Sequence, residues 1–560
     1  MPSSDLYRRA ILPLMVAQMM QGTPIFILKE GTERDHGKSA TANNIAAARA
    51  VADAVRSTLG PRGMDKMLVD SMGDITITND GVTILKEVDV EHPAAKMIVE
   101  VAKTQDQQCG DGTTTAVVLA GELLKRSESL LDQNVHATVI VRGFQLAVQE
   151  AQRLLEKEIG TAVKTDDEAI LVDCATTAMG SKGVFGSRDE LAKIAVKAVQ
   201  KISEKRGDRT IADVDQIQIQ KRHGGTISDT ELIEGIILDK ERGHPRMPAE
   251  VSPAKIALLN SSLEIKKTEI ESKINIKNPS QIQNFLDEED KTFRRMVDQI
   301  KASGANMVVC QKGIDDVVLH YLAKEGIYAV KQVKESDLQK LARATGAKIV
   351  TGFKDLTSAD LGTAAKVEER KVGDDDMTFV TGCSNPRSVS ILIRGGTEHV
   401  TQEVERSLND ALKVVSSVIE DGVVCPGGGA TEIELAVKLR KWAPSVGGRE
   451  QLAAEAFAQA LEAVPWALSE NGGYDSINTL IELRSAHDGP SANKNVGVNL
   501  ADGKASDMWK LRVVEPLRVK RQALSSAAEV ASMVLRIDDI IASKKPAPSP
   551  PGGAGGGHDH

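Results

Sequence analysis

At 560 residues the chain exceeds what one hydrophobic core organises, so about two to four domains are expected. A net charge of −9 argues against a nucleic-acid binder, 3% aromatic residues leave few stacking platforms, and no segment approaches a membrane span. Five scattered cysteines (Cys109, Cys174, Cys310, Cys383, Cys425) form no CxxC pair, which suits a reducing, cytoplasmic setting and offers no zinc site.

Residues 1–23 carry Arg8 and Arg9 ahead of a short apolar stretch, Ala10 to Ala17, that contains Pro13 and lacks a clean cleavage site. They read as a leader outside the fold, with Met15, Met19 and Met20 as alternative starts. Patterned sequence begins at Pro24–Leu28. Gly31 to Ser39 imitates a Walker phosphate loop, but with one residue too many between Gly31 and Gly37. Next, Ile45, Ala48, Val51, Ala52 and Val55 recur at helical spacing from Asn43 to Leu59, and Gly60-Pro61 stops the helix. Ile75–Thr78 and Val82–Leu85 alternate as two strands around Asn79-Asp80-Gly81, the signature of a tight hairpin. Two further helices are expected, one around the Gly110–Thr115 element and one from Val139 to Ile159.

Near residue 165 the character changes. A helix is expected from Asp189 to Ile202, between the glycine loop Met179–Gly183 and a β-like run, Val214–Gln220. From about 225 to 380, short apolar strands (Ile256–Leu259, Met307–Cys310, Tyr328–Val330, Lys348–Val350) alternate with helical stretches, as in an α/β domain. Lys277 to Ile300 departs from this pattern: Phe285, Leu286, Phe293, Met296 and Val297 stand among dense charge. It reads equally as a solvated surface helix or as a protrusion with exposed apolar residues. Helices then dominate again, at Val400–Ile419, Thr431–Lys441, Arg449–Leu468 and Leu524–Ile541. Residues 544–560 form a Pro/Gly tail ending in two histidines, and the chain holds no internal repeat.

The densest chemistry is Gly110-Asp111-Gly112-Thr113-Thr114-Thr115 at a helix start. Glycines let backbone N–H groups face an anion, three hydroxyls can donate to phosphate oxygens, and the helix dipole favours negative charge. Asp111 supplies an oxygen ligand for Mg²⁺, the usual companion of a polyphosphate. An N-cap explains one threonine but not the cluster. Thr58-Leu59-Gly60-Pro61 is a helix stop that can also form a wall against a nucleotide; Pro426-Gly427-Gly428-Gly429-Ala430 exposes backbone at a second helix start. Hydrolysis needs a carboxylate to orient water. Asp410 lies on a helix whose other face carries Val404, Leu408 and Leu412, a position that spacing alone cannot promote. Cys109 and Cys425 adjoin two of these motifs; as core residues they are inert, as reachable thiols they would make turnover sensitive to modification.

Taken together these stretches resemble the chaperonin family, specifically its group II branch, the archaeal thermosome. The resemblance runs from about residue 24 to 542 and rests on Thr58–Asp70, Asn79–Leu85, Gly110–Thr115 and Pro426–Ala430 in family order, with Lys240-Glu241 and His244–Pro248. It implies a multi-domain fold: a mostly α-helical equatorial domain (24–157 and 422–543), a small α/β intermediate domain (158–225 and 382–421) and an α/β apical domain (226–381). A helical protrusion at about 264–298 would serve as a built-in lid, making a separate co-chaperonin unnecessary. The implied activity is ATP hydrolysis coupled to folding of non-native proteins inside a stacked double ring of eight or nine subunits per ring, identical or paralogous, without nucleic acid or membrane.

Carried onto this sequence, the resemblance makes Asp111 the Mg²⁺ ligand, with Gly110, Gly112 and Thr113, Thr114 and Thr115 at the phosphates. Thr58, Leu59, Gly60 and Pro61 line the phosphate and base region, and Gly428 and Glu515 approach the ribose. Asp80 and Asp410 position the attacking water, and Lys182 senses the γ-phosphate. A K⁺ dependence is compatible with the resemblance, although no motif carries it. Two rival functions stay open: a metabolic ATP-dependent enzyme, for which the middle domain offers no acceptor site, and a nucleotide-binding structural ring protein, against which the Asp80/Asp410 pair speaks.

Overall fold

The computed structural model of the chain describes residues 32–88, 90–183, 186–207, 209–265, 279–385 and 387–543. The leader, the patterned stretch Pro24–Leu28, the Pro/Gly tail and the first part of the charged excursion lie outside the described residues.

Three bodies of buried apolar side chains organise these residues. The first is helical and joins the two ends of the sequence: Lys38–Arg56, Pro93–Cys109, Thr113–Asp132 and Ala137–Leu154 pack with Glu450–Leu461 and Leu517–Leu535. With so few aromatics, this core closes through small residues. A Cβ on Gly121 would fall 2.4 Å from that of Ala52, so the first and third of these helices cross in near contact. Phe144 and Phe457 supply one edge-to-face pair, 5.8 Å between centroids.

The second core packs Glu168–Ala178, Arg188–Ile202 and Glu398–Asp421 on a three-stranded sheet. In that sheet Ser390–Gly395 lies between Gln218–His223 (parallel) and Glu231–Ile233 (antiparallel). The third core is an eight-stranded mixed sheet. Ala254–Leu259, Met307–Cys310 and Tyr328–Val330 run parallel in it, flanked by the antiparallel pair Gly362–Val372 and Asp375–Cys383. Its parallel strands are covered on both faces, as their unbroken apolar runs require. Ala257, Leu259 and Val308 meet the helices Pro279–Ser303 and Asp316–Lys324 on one face, and Ile256, Leu258 and Val309 meet Glu335–Thr345 on the other. The third core is thus inserted within the second, and the second within the first.

Several sequence expectations change. Val82–Leu85 is no strand: Gly81–Glu87 is a helix capped by Asp80, and Ile75–Thr78 pairs instead with Lys66–Val69. A four-residue apolar run fits either period, and here Val82, Ile84 and Leu85 are buried on a helix. Arg449–Leu468 breaks at Glu462 into two helices, Pro465 being tolerated in the first turn of the second. The expected helix Leu524–Ile541 begins at Leu517 and ends at Leu535, after which Asp539–Ser543 pairs antiparallel with Thr32–His36. In the run Val214–Gln220, the first three residues are a 3₁₀ turn and the strand is Gln218–His223. Finally, Phe293, Met296 and Val297 of the charged excursion belong to the third core rather than to an exposed surface.

Candidate functional site

A cleft of about 670 Å³ opens where the first and second cores meet. Its floor is the start of Thr113–Asp132. Gly112, at φ 78°, turns the chain into this helix, and no side chain caps it. Its first-turn N–H groups are therefore left without a side-chain cap, and Thr113, Thr114 and Thr115 line the cleft. A Cβ at Gly112 would lie 2.7 Å from Val519 Cγ1, so only glycine fits this left-handed turn. Gly110 departs from expectation. It ends the preceding helix in a left-handed cap, packs against Lys413, and does not line the cleft.

Between the two glycines, the Asp111 Oδ1 accepts from the Gly112 N–H at 2.6 Å. Burial pushes the Asp111 pKa up, against the pull of that hydrogen bond and of Lys182 and Lys520. Among the described residues no three His, Cys, Asp or Glu side chains form a metal cage. A single carboxylate that shares a cation with phosphate oxygens is the usual arrangement for Mg²⁺, and a half-buried Asp beside an uncapped helix start fits it.

One wall brings two carboxylates to one ammonium. The Asp80 Oδ2 accepts from Thr83 N and Thr83 Oγ1 at 3.1 and 2.7 Å, which fixes the side chain and leaves Oδ1 toward the cleft. There Thr113 Oγ1 donates to it at 3.4 Å and Lys182 Nζ stands 3.5 Å away. Opposite, Asp410 projects from Glu398–Asp421, whose apolar face is held in the second core, and its Oδ2 lies 3.2 Å from the same Nζ. The Asn79 amide donates to the Ser181 carbonyl and pins the lysine's loop. Burial works against the Lys182 charge, but Asp410 and Asp80 outweigh it and raise its pKa. Burial lifts Asp410 well above the ordinary carboxylate value; Lys182 opposes this, while Asp80 and Asp111 add to it. Burial also acts on Asp80, yet Lys182 and Thr83 hold its pKa below the usual value. Three carboxylates thus gather around one ammonium, an arrangement that a bound cation would stabilise.

The far wall is apolar. Gly60, at φ 85°, touches Leu468, and Thr58, Leu59 and Pro61 continue the surface, with Asn471 Nδ2 donating to the Arg56 and Leu59 carbonyls to hold the loop. The Thr58 hydroxyl is spent on the Val55 carbonyl. Gly428, at φ 60°, lies against Met508, and Glu515 borders it, bound to Lys520. Sequence reasoning missed Val464, Val498, Leu500, Met508 and Leu511 of this wall, as well as Thr176, Thr177 and Lys520. They are ordinary residue types from distant segments and carry no motif. Cys109 and Cys425 are buried. Burial raises their thiols to about 11 and about 12 and leaves little thiolate at neutral pH.

A hydroxyl-rich helix start, a carboxylate pair and an apolar slot are the chemistry that holding a nucleoside polyphosphate would require. The sequence model of the TCP-1/cpn60 chaperonin family matches residues 51–545. The thermosome subunit alpha of Thermoplasma acidophilum is 60% identical over 539 residues, which cover 96% of this chain and 98% of the relative. The thermosome subunit beta of Archaeoglobus fulgidus is 57% identical, covering 96% and 98%. Among solved structures, the open-state monomer of a group II chaperonin from Methanococcoides burtonii aligns with a TM-score of 0.59 at 45% identity, covering 76% of this chain and all of that one.

Proposed function

Since the chain belongs to the TCP-1/cpn60 chaperonin family, it is a subunit of an ATP-dependent protein-folding chaperonin, and we propose that the cleft between its first two cores is where ATP is bound and hydrolysed. The observation that carries this reading is the Asp80–Lys182–Asp410 cluster beside an uncapped, threonine-lined helix start.

In this reading the first-turn N–H groups and Thr113, Thr114 and Thr115 hold the phosphates. The base lies in the slot of Pro61, Leu468, Val498 and Leu500, and Gly428 and Glu515 meet the ribose. Asp111 would hold Mg²⁺, which when bound supplies charge neutralisation on the phosphate oxygens. Lys182 leaves the carboxylates for the γ-phosphate, and Asp80 and Asp410 are then free to orient the attacking water. Asp410 sits on a helix of the second core, whereas Asp111 and the threonines sit on the first. Hydrolysis therefore requires the two cores to close on each other, which couples turnover to rigid-body movement.

The three cores support a division into an equatorial domain (24–157 and 422–543), an intermediate domain (158–225 and 382–421) and an apical domain (226–381), with the segment at about 264–298 as a lid. Non-native proteins, recognised by exposed apolar surface, are the clients, and the subunits form rings. Ring contacts are supported by the hairpin Lys66–Val69/Ile75–Thr78, whose Met67, Val69, Ile75 and Ile77 are exposed. The test is refolding of a denatured reporter enzyme by the isolated particle. Recovery that requires hydrolysable ATP supports the reading; equal recovery with ADP or without nucleotide contradicts it.

A further inference from the structure

Behind Glu515 lies a charge cluster with no assigned role. The Lys520 side chain, on Leu517–Leu535, is 7% exposed, and its Nζ stands 2.7 Å from Glu515 Oε2 and 2.9 Å from Glu432 Oε1. Glu432 lies in the first turn of Ala430–Trp442, and its Oε2 is buried with no hydrogen-bond partner. A buried and a partly buried carboxylate thus share one ammonium, and of their two remaining oxygens Glu432 Oε2 is buried without a partner. Apolar residues would fill such a place at least as stably, so stability does not account for the cluster.

Its geometry suggests what does. The three residues come from three elements, the strand Val514–Pro516, the helix that follows the glycine loop and the long C-terminal helix, and of them Glu515 and Lys520 line the cleft. A Cβ on Gly427 would come within 2.7 Å of Glu515 Oε1, so the carboxylate rests against that loop. Next to it, Gly428 and Glu515 line the cleft together. One ammonium therefore fixes both the carboxylate and, through Glu432, the helix start beneath the glycines. Burial raises the Glu515 pKa; Lys520 opposes that rise, while Glu432 and Asp111 add to it.

We propose that Lys520 is the positioning residue of a ribose subsite: it holds the Glu515 carboxylate in place to accept hydrogen bonds from the sugar hydroxyls. The inference rests on reading the cleft as the ATP site. Lys520 acts through Glu515, so its loss raises KM rather than slowing the chemical step.

The test compares KM and kcat for ATP and for 2′,3′-dideoxy-ATP in the intact particle, for wild type, Glu515→Gln and Lys520→Met. Lys520→Met is expected to raise KM for ATP about tenfold, the scale of one charge-assisted hydrogen bond, with kcat within about twofold. KM for the dideoxy analogue stays put, so the ratio between the two substrates falls toward one. Lys520→Arg, which keeps the cation, restores part of that ratio. A wild-type ratio in Lys520→Met, with the ratio lost in Glu515→Gln, overturns the role of Lys520 alone. No discrimination in the wild type, or none lost in Glu515→Gln, overturns the ribose reading and the proposal with it. Should Lys520→Met fail to assemble, Glu432→Gln leaves the ammonium to Glu515 alone; a ratio at or above wild type supports the proposal, and a lower one overturns it.

Discussion

Lys182→Met removes the ammonium on which Asp80 and Asp410 converge, at 3.5 and 3.2 Å, from a side chain that is only 5% exposed. Methionine keeps the unbranched apolar stem, so little packing is lost. Removing one partner of a buried pair costs about 3–5 kcal/mol when the other charge is stranded. Protonation relieves part of this, because burial already holds Asp410 well above the usual carboxylate value, and it rises further without the lysine. An acid with a higher pKa in the folded than in the unfolded chain binds more protons when folded. Its stabilisation is present at low pH and is lost as the pH climbs from the unfolded value of about 3.9 toward the folded one. The deficit of the variant therefore grows with rising pH.

A ring does not unfold as a two-state system, so the assay is hydrogen exchange of peptides covering residues 174–183 and 404–413, corrected for intrinsic rates. At pH 8 the variant should exchange there at least about a hundredfold faster than wild type, with a smaller difference at pH 5. Equal protection in the two proteins at pH 8 would refute the idea that Lys182 balances buried charge.

Gly112→Ala forces a left-handed residue, at about 1–2 kcal/mol, and drives a methyl into Val519. Equilibrium dialysis should show ATP affinity reduced about tenfold or more, and wild-type affinity would contradict the role of the turn. Intact-mass analysis after an hour with iodoacetamide at pH 7.5 should show Cys109 and Cys425 unmodified in the folded particle, since burial holds their thiols near 11 and 12. Rapid labelling of either would show that the site opens far more than its packing suggests. Met67→Lys with Ile77→Glu places opposite charges at paired positions of the exposed hairpin. Light scattering should then find smaller species with unchanged helical content; intact rings would remove the hairpin from the assembly contact.

Much of the site was legible because its parts are local. Gly112 to Thr115 form a turn and a helix start within one short segment, so residue type and spacing were enough. Asp80 was legible as chemistry but not as structure: Asn79-Asp80-Gly81 matches a hairpin turn, and only the burial of Val82, Ile84 and Leu85 makes it a helix cap. Gly110 shows the reverse, a glycine in the right motif that serves the neighbouring helix end. The apolar wall and Lys520 were invisible because they are assembled from segments far apart in sequence. The paired strands Gly362–Val372 and Asp375–Cys383 escaped notice because their charged residues hide the apolar alternation, and the pairing of Thr32–His36 with Asp539–Ser543 because it joins opposite ends of the chain.

The central claim is that Asp410, carried by the second core, completes a hydrolytic site built on the first. Its most direct test is Mg²⁺-dependent ATP turnover by the size-fractionated particle, wild type beside Asp410→Ala, with nucleotide binding measured in the same samples. The account predicts turnover reduced by about 10²–10⁴-fold while ATP still binds. Equal turnover in the two proteins would contradict it and leave Asp80 as the carboxylate around which hydrolysis is organised.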